Sequence, residues 1–179
     1  MRVVYFGTPA EAVPPVRALI EAGPNVALVV TQPDRRRGRG GASIPSPVKQ
    51  AATELGLPVA TPQRAAEVID DVRTSGADLG IVVAFGQLLP PALLEALPMG
   101  FVNVHFSLLP RWRGAAPVER AILAGDTETG ACLMAVEEGL DTGGVYVSAR
   151  LPISDTETAG ALMGRLVNVG TQLLVENLD

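Results

Sequence analysis

Short, valine-rich apolar runs separated by longer mixed segments are the feature that most constrains the fold of this chain. Each run is bounded by glycine or proline, which is typical of a strand buried on both faces of a sheet. Strand, helix and strand repeated in this way predict a parallel α/β sheet whose right-handed crossovers cover both faces. The predicted strands are Val3–Phe6, Val26–Val30, Leu79–Phe85 and Phe101–His105, and the predicted helices lie near residues 9–22, 46–56, 64–75 and 90–97.

The start and the end of the first helix carry recognisable signals. Thr8 can serve as the N-cap, and Glu11 follows three residues later, which is the spacing of a capping box. Gly23 is suited to end the helix in a left-handed conformation. Pro14 and Pro15 lie inside the predicted helix and should kink it or delay its start.

The pattern changes in the second half of the chain. Ala115–Ala124 is predicted to be helical, and a last helix is predicted near Ala159–Asn177. Between them, Ala131–Val136 and Val145–Ala149 are predicted strands joined by a glycine-rich turn through Gly139–Gly144, so they should pair antiparallel. The expected fold is therefore a Rossmann-like open α/β sheet, mostly parallel, with antiparallel strands toward the C-terminus.

The composition excludes several classes of protein and site. An apolar fraction of 47% excludes a disordered chain. Cys132 and His105 are the sole residues of their kinds, so the chain can form neither an internal disulfide nor a Cys/His zinc site. The first residues do not form a signal peptide, and no apolar run is long enough to span a membrane. We expect a cytoplasmic monomer without a metal.

Asn103 and His105 are the first candidates for chemistry. They alternate along one predicted strand, so their side chains share a face near the strand's carboxyl end. Open α/β sheets bind ligands at that end, where an amide and an imidazole together can polarise a carbonyl and stabilise its oxyanion. The alternative is a buried histidine with satisfied hydrogen bonds and an asparagine that bonds a neighbouring loop.

Two further segments carry candidate residues. Ser107–Pro110 follows the strand directly and forms an apolar ledge, which suits a flat aromatic ligand or else fills the core. Asp141–Gly144 has the composition of a turn. A carboxylate there would act as a general base or orient the imidazole if the fold brought Asp141 to His105.

Arg35–Gly41 concentrates positive charge on a chain whose formal net charge is −5. Such a segment is either a solvated surface loop or a phosphate-binding patch. Gly7-Thr8-Pro9, which follows the first strand, lacks both the G-x-G-x-x-G pattern and the P-loop lysine. Nicotinamide-cofactor and P-loop nucleotide binding are therefore excluded at that position.

Taken together, these motifs resemble one family. Asn103-Val104-His105-x-Ser107-Leu108-Leu109-Pro110, followed by Gly139-Leu140-Asp141-Thr142-Gly143, is similar to the tetrahydrofolate-dependent formyltransferases, and the similarity runs from Met1 nearly to Asp179. Thr31–Lys49 and Arg111–Pro117 resemble the branch of that family that formylates the methionyl group on initiator tRNA.

The resemblance implies a role for each candidate. The donor would be 10-formyltetrahydrofolate, the acceptor would be the amine of methionyl initiator tRNA, and no metal would take part. The implied catalytic residues are Asn103, His105 and Asp141; the implied folate pocket comprises Ser107, Leu108, Leu109 and Pro110 with Gln87, Leu88 and Leu89; the implied tRNA contacts are Arg35, Arg36, Arg37 and Arg39.

Two alternatives remain open on the sequence. The same catalytic residues and ledge suit formyl transfer to a small amine, such as a purine precursor or an amino sugar. A non-catalytic folate- or RNA-binding module would keep the ledge or the arginine loop without the catalytic residues. The resemblance also implies that residues 1–179 form the catalytic domain, and that the C-terminal β-barrel domain with which longer family members hold tRNA lies outside this chain.

Overall fold

Strands and helices alternate along most of the chain. The computed structural model describes residues 1–36 and 43–178. Its strands are β1 (Arg2–Gly7), β2 (Asn25–Val30), β3 (Arg35–Arg36), β4 (Ser43–Ile44), β5 (Val59–Ala60), β6 (Leu79–Val83), β7 (Phe101–His105), β8 (Glu128–Ala135) and β9 (Val145–Pro152). Its α-helices are α1 (Val13–Ala22), α2 (Pro47–Glu54), α3 (Ile69–Thr74), α4 (Pro91–Leu94), α5 (Pro117–Leu123) and α6 (Ala159–Glu176), and Ala10–Ala12 and Ala65–Val68 form 3-10 turns.

One open sheet of seven strands organises the described residues, in the order β5-β2-β1-β6-β7-β8-β9. The strands from β5 to β7 are parallel to one another, whereas β8 runs antiparallel to both β7 and β9. The chain moves outward from β1 to β2 and β5 and then returns to β6 on the other side of β1. Ligands of open α/β sheets bind beyond such a switch point, because the flanking loops diverge there.

Both faces of the sheet are buried at the central strands β1 and β6, as the continuous apolar runs predicted, whereas the edge strand β9 is partly exposed. Val3 and Tyr5 of β1 belong to a core shared with α1, α2 and α6. On the other face, which α3 and α4 cover, Phe6 packs edge-on against Phe85 and Phe101 with ring centroids 5.3 and 5.6 Å apart. Strands fixed on two sides provide a rigid platform for side chains at their ends.

The sequence-based predictions of strands are confirmed with small shifts of their bounds. The prediction for β7 has the observed limits, and β8 and β9 pair antiparallel as expected. The short strands β3, β4 and β5 were not predicted, because two residues carry no periodic signal. The predicted helix at 9–22 is a 3-10 turn followed by α1, and the other predicted helices are shorter than expected.

The predicted capping box at Thr8 and Glu11 is wrong. Pro9, not Thr8, precedes the 3-10 turn, and no side chain caps that turn. The Thr8 hydroxyl instead donates to the carbonyl oxygen of Phe85 at 2.9 Å and accepts from the backbone N–H of Gln32 at 3.4 Å. The Thr8 hydroxyl thus bonds the loops that follow β6 and β2, and not the N-terminus of the helix as the local sequence predicted.

The prolines delay the first helix rather than bending it. The α-helix begins at Val13, so Pro14 and Pro15 fall in its first turn, where a missing N–H removes no intrahelical hydrogen bond. Gly23 ends the helix with φ +106°, and its N–H donates to Ile20 O at 3.3 Å, which confirms the predicted C-cap. None of the described helices is long and apolar enough to cross a membrane.

The packing of α6 gives a direct test of the core. Leu166 is fully buried, so Leu166→Ala should lower the free energy of unfolding by roughly 2–5 kcal/mol through lost burial and an unfilled cavity. Leu123 in α5 is 85% exposed, so Leu123→Ala should change it by less than about 0.5 kcal/mol. Urea denaturation of both variants measures the difference, and equal losses would contradict the assigned core.

Candidate active site

A cavity of about 530 Å³ opens beyond β6 and over the end of β7. Its walls are mostly apolar and come from the loop after β6, from β8 and from the turn after β8. Its polar side chains include those of Gln87, Asn103, His105 and Asp141. A largely apolar cavity with a few convergent polar groups is the usual form of a small-molecule site. The apolar walls are formed by residues including Ala84, Phe85, Leu88, Leu89, Met134, Val136 and Leu140.

Asn103 and His105 reach this cavity from the same face of β7, as their alternation predicted. Asn103 is half-buried and lines this cavity, and among the described residues its side chain has no hydrogen-bond partner. Its amide is therefore available to donate to a ligand in the cavity. His105 is 6% exposed, so water has little access to the ring.

Both ring nitrogens of His105 lie close to a polar group. Nε2 lies 3.1 Å from the backbone carbonyl oxygen of Trp112. Because a carbonyl oxygen can only accept, this contact requires the proton on Nε2. Nδ1 lies 3.6 Å from Oδ2 of Asp141, which is longer than a hydrogen bond, and in the tautomer that is protonated on Nε2 neither of these two atoms carries a proton to donate.

Asp141 reaches His105 because the turn after β8 folds back over the sheet. Its carboxylate accepts the Gly114 N–H at 2.8 Å and is 14% exposed. The turn lies so close to β8 that a Cβ on Gly143 would stand 2.1 Å from the Ala135 carbonyl oxygen. Glycine is therefore required at that position for the turn to carry Asp141 to the imidazole.

One loop supplies backbone partners to both side chains. Trp112 and Ala116 have φ values of +62° and +53°, in the left-handed region that non-glycine residues rarely adopt. Each such residue costs on the order of 1–3 kcal/mol and persists only where surrounding contacts fix it. In this conformation the loop directs the Trp112 carbonyl to His105 and the Gly114 N–H to Asp141.

The two parts of the predicted folate pocket lie in different places. Gln87, Leu88 and Leu89 line the cavity, with the Gln87 amide held by the backbone of Gln63 and Ala65.

Ser107–Pro110 lies beneath the loop that holds His105 and is not part of the described cavity wall. Ser107 is buried and donates to the Arg111 carbonyl oxygen at 2.7 Å. Leu108 covers Gly130, where an added Cβ would stand 2.5 Å from Leu108 Cδ2. This segment therefore supports the site from below.

A second cavity of about 340 Å³ adjoins the first, since Pro9, Ala84, Phe85 and Gly86 line both. Arg35 lines it and donates to the Gln32 side chain at 2.5 Å. The backbone of Arg36 pairs with Ser43 in the β3–β4 ribbon, and Arg37 and Arg39 lie outside the described residues.

The sequence analysis missed several groups at the site. Glu119 and Glu137 line the first cavity, as does Glu11, which had been assigned to a capping box. The backbone groups of Trp112 and Gly114 were also missed, because main-chain contacts have no residue-type signature. The described residues include no cluster of three or more His, Cys, Asp or Glu side chains that could hold a metal ion.

Residues 1–178 match the sequence profile of the family described as formyl transferase. The chain belongs to the formyl transferase family. Among curated relatives, the methionyl-tRNA formyltransferase of Symbiobacterium thermophilum is 51% identical over 99% of this chain and 55% of its own length. That of Synechococcus sp. strain CC9605 is 53% identical over 98% of this chain and 53% of its own length. This family member thus spans about half the length of those relatives.

Solved structures of other formyl transferases share the fold. The phosphoribosylglycinamide formyltransferase of Bacillus halodurans superposes with a TM-score of 0.82 at 24% identity, covering 98% of this chain and 92% of that one. Glycinamide ribonucleotide transformylase 1 of Geobacillus kaustophilus gives 0.79 at 28% identity, covering 96% and 93%. The open mixed sheet expected from the sequence is therefore the fold of this family.

The turn that carries Asp141 provides a matched pair of variants. Gly143→Ala must displace the turn from the Ala135 carbonyl, whereas a Cβ on Gly144 meets no atom within 4 Å. Gly143→Ala should therefore destabilise the protein by about 1–3 kcal/mol, the usual cost of forced overpacking. Gly144→Ala should leave the thermal midpoint nearly unchanged. Equal midpoints for the two variants would show that the turn does not lie against β8.

Proposed function

We propose that this chain transfers a formyl group from 10-formyltetrahydrofolate to the amine of methionyl initiator tRNA. The observation that carries the proposal is the convergence of Asn103, His105 and Asp141 on one cavity in a formyl transferase fold. An amide donor can stabilise the oxyanion of an acyl transfer, and an imidazole with a carboxylate beside it can move the proton that the attacking amine loses.

The reaction we propose is a direct acyl transfer. The neutral amine nitrogen attacks the formyl carbon, which gives a tetrahedral intermediate with a negative oxygen. The bond from the formyl carbon to the folate nitrogen then breaks, and the proton lost by the amine is transferred to that nitrogen. Asn103 would donate a hydrogen bond to the oxyanion. Because the Nε2 proton of His105 is bound to the Trp112 carbonyl, we assign the imidazole to accept the amine proton at Nδ1 and pass it on. Asp141, which lies beside Nδ1, would stabilise the positive charge that this step creates or hold a water that relays the proton.

The first cavity has properties suited to the folate donor. Its volume is in the range of small-molecule sites, and its apolar walls suit the flat pterin ring. We assign Gln87, Leu88 and Leu89 to the wall of this pocket. Ser107, Leu108, Leu109 and Pro110 would contribute by supporting the loop that holds His105.

The acceptor is proposed from three observations. Relatives at 51% and 53% identity are named methionyl-tRNA formyltransferase. The second cavity adjoins the first and is lined by Arg35, so an acceptor could approach the formyl carbon from that side. Arg36, Arg37 and Arg39 add positive charge to the same segment, which suits a phosphate backbone. Residues 1–179 would then form the catalytic domain.

Formyl transfer to a small amine is the competing function, because the solved relatives include glycinamide ribonucleotide transformylases. Incubating the chain with the formyl donor and, in turn, methionyl initiator tRNA, glycinamide ribonucleotide and an amino sugar nucleotide separates the possibilities. We expect the highest kcat/KM with tRNA. Faster formylation of a small amine would overturn the assigned acceptor, and no transfer to any acceptor would favour a binding module.

The oxyanion role of Asn103 predicts a change confined to the chemical step. Asn103→Ala should lower kcat by roughly 10²–10³, the usual cost of losing one oxyanion donor, while the Kd for the folate donor changes little. Asn168→Ala, an exposed amide on α6, is the matched control and should retain full turnover. Single-turnover kinetics with tRNA measure both, and near-normal turnover by Asn103→Ala would remove this residue from the mechanism.

The arginine segment predicts the salt dependence of tRNA use. Each phosphate contact contributes about 0.7–0.9 to the slope of log K against log salt concentration. Replacing Arg35, Arg36, Arg37 and Arg39 together by alanine should therefore raise KM for tRNA and flatten that slope. Arg150→Ala on β9 removes an exposed arginine elsewhere and serves as the control. An unchanged slope in the fourfold variant would show that the segment is a solvated loop.

A further inference from the structure

The Trp112 carbonyl that holds His105 is itself held through the Trp112 side chain. The indole Nε1 donates to Oδ2 of Asp126 at 2.7 Å. The guanidinium groups of Arg111 and Arg120 lie over the indole ring, 4.3 and 4.8 Å from its centroid. Trp112 has its backbone in the left-handed region, and its side chain is thus fixed by one hydrogen bond and two cation–π contacts.

Asp126 is the residue on which these contacts converge. Its two oxygens accept from Arg111 Nε at 2.8 Å and Arg111 Nη2 at 2.5 Å, in addition to the indole. Its side chain is 13% exposed, and its backbone N–H donates to the Ala121 carbonyl oxygen at the end of α5. The hydrogen bonds from Arg111 lower the pKa of the Asp126 carboxyl, so it remains an acceptor at neutral pH.

Three consecutive carbonyls of the loop have partners on different sides. Ser107 donates to the carbonyl oxygen of Arg111, His105 to that of Trp112, and Arg120 to that of Arg113 at 2.7 Å. The backbone at Trp112 is therefore fixed from below by the segment after β7 and from the side by α5. A loop fixed in this way can determine which ring nitrogen of His105 carries the proton.

We infer that Asp126 and Trp112 are positioning residues for His105. They hold the Trp112 carbonyl where it accepts the Nε2 proton, so that Nδ1 faces Asp141 and the cavity. The consequence for catalysis rests on the proposed formyl transfer, whereas the control of the tautomer does not. Without the indole–carboxylate bond, the carbonyl would leave its position and the ring would populate both tautomers or rotate.

The effect should be local rather than a general loss of stability. Arg111 is 58% exposed, and ion pairs with one exposed partner contribute little to the free energy of unfolding. The sequence contains a single histidine, so the imidazole ¹⁵N signals report on His105 without ambiguity. In the wild-type chain we expect the neutral imidazole to carry its proton on Nε2, because the Trp112 carbonyl oxygen can only accept.

The test compares Trp112→Phe and Asp126→Ala with Glu128→Ala. Trp112→Phe keeps an aromatic ring but removes the N–H donor, and Glu128→Ala breaks a separate exposed pair with Arg150. Trp112→Phe and Asp126→Ala should each move the imidazole ¹⁵N signals toward a mixture of tautomers. Each should also lower kcat by roughly 10- to 100-fold, as small misplacements of catalytic groups do. KM for the folate donor should change less than about threefold, since the cavity wall is intact. Glu128→Ala should match wild type in both measurements.

The outcomes separate the two proposals. Unchanged imidazole signals in Trp112→Phe would overturn the positioning role, whatever happens to activity, and this variant decides the question if Asp126→Ala does not fold. Shifted signals in a protein that formylates no acceptor would overturn the proposed function and leave the positioning role standing. A fall in kcat with unshifted imidazole ¹⁵N signals would show that Trp112 and Asp126 have a purely structural role, and it would contradict the inference.

Discussion

Two backbone hydrogen bonds from one short loop set the geometry of the candidate active site. The Trp112 carbonyl accepts from His105, and the Gly114 N–H donates to Asp141, so the same loop sets the orientation of the imidazole and of the carboxylate. Side chains alone would leave both groups rotatable. Because the loop is held in a left-handed conformation at Trp112, its main-chain groups point inward at the positions where the side chains need partners.

The sheet makes this arrangement possible in two ways. Burial of both faces fixes β7, so Asn103 and His105 project from a strand that cannot shift. The reversal at β8 then lets the following turn return across the sheet and reach Gly114, provided that Gly143 can approach the Ala135 carbonyl. The two adjoining cavities lie beyond the switch point between β1 and β6, where an open α/β sheet accommodates ligands.

Much of this was predictable from local pattern. The alternation of Asn103 and His105 predicted a shared face, and the glycine-rich turn predicted the antiparallel pair β8–β9. The capping box failed because the Thr8 hydroxyl has a better partner in Phe85, a residue distant in sequence. The ledge at Ser107–Pro110 packs under the loop, where Gly130 leaves space for Leu108 on β8, and its predicted role in folate binding stays a prediction.

The α/β class, the strand that carries Asn103 and His105, and the family resemblance all follow from the amino-acid sequence. These depend on periodicity and on residue types close together in the chain, which are local properties. The tertiary structure alone decided that Asp141 lies beside His105, that the Trp112 carbonyl is the partner of Nε2, and that Asp126 holds Trp112. These contacts join segments that only the folded sheet brings together. They also depend on the main-chain carbonyl of Trp112 and on its left-handed φ, which the residue type does not predict.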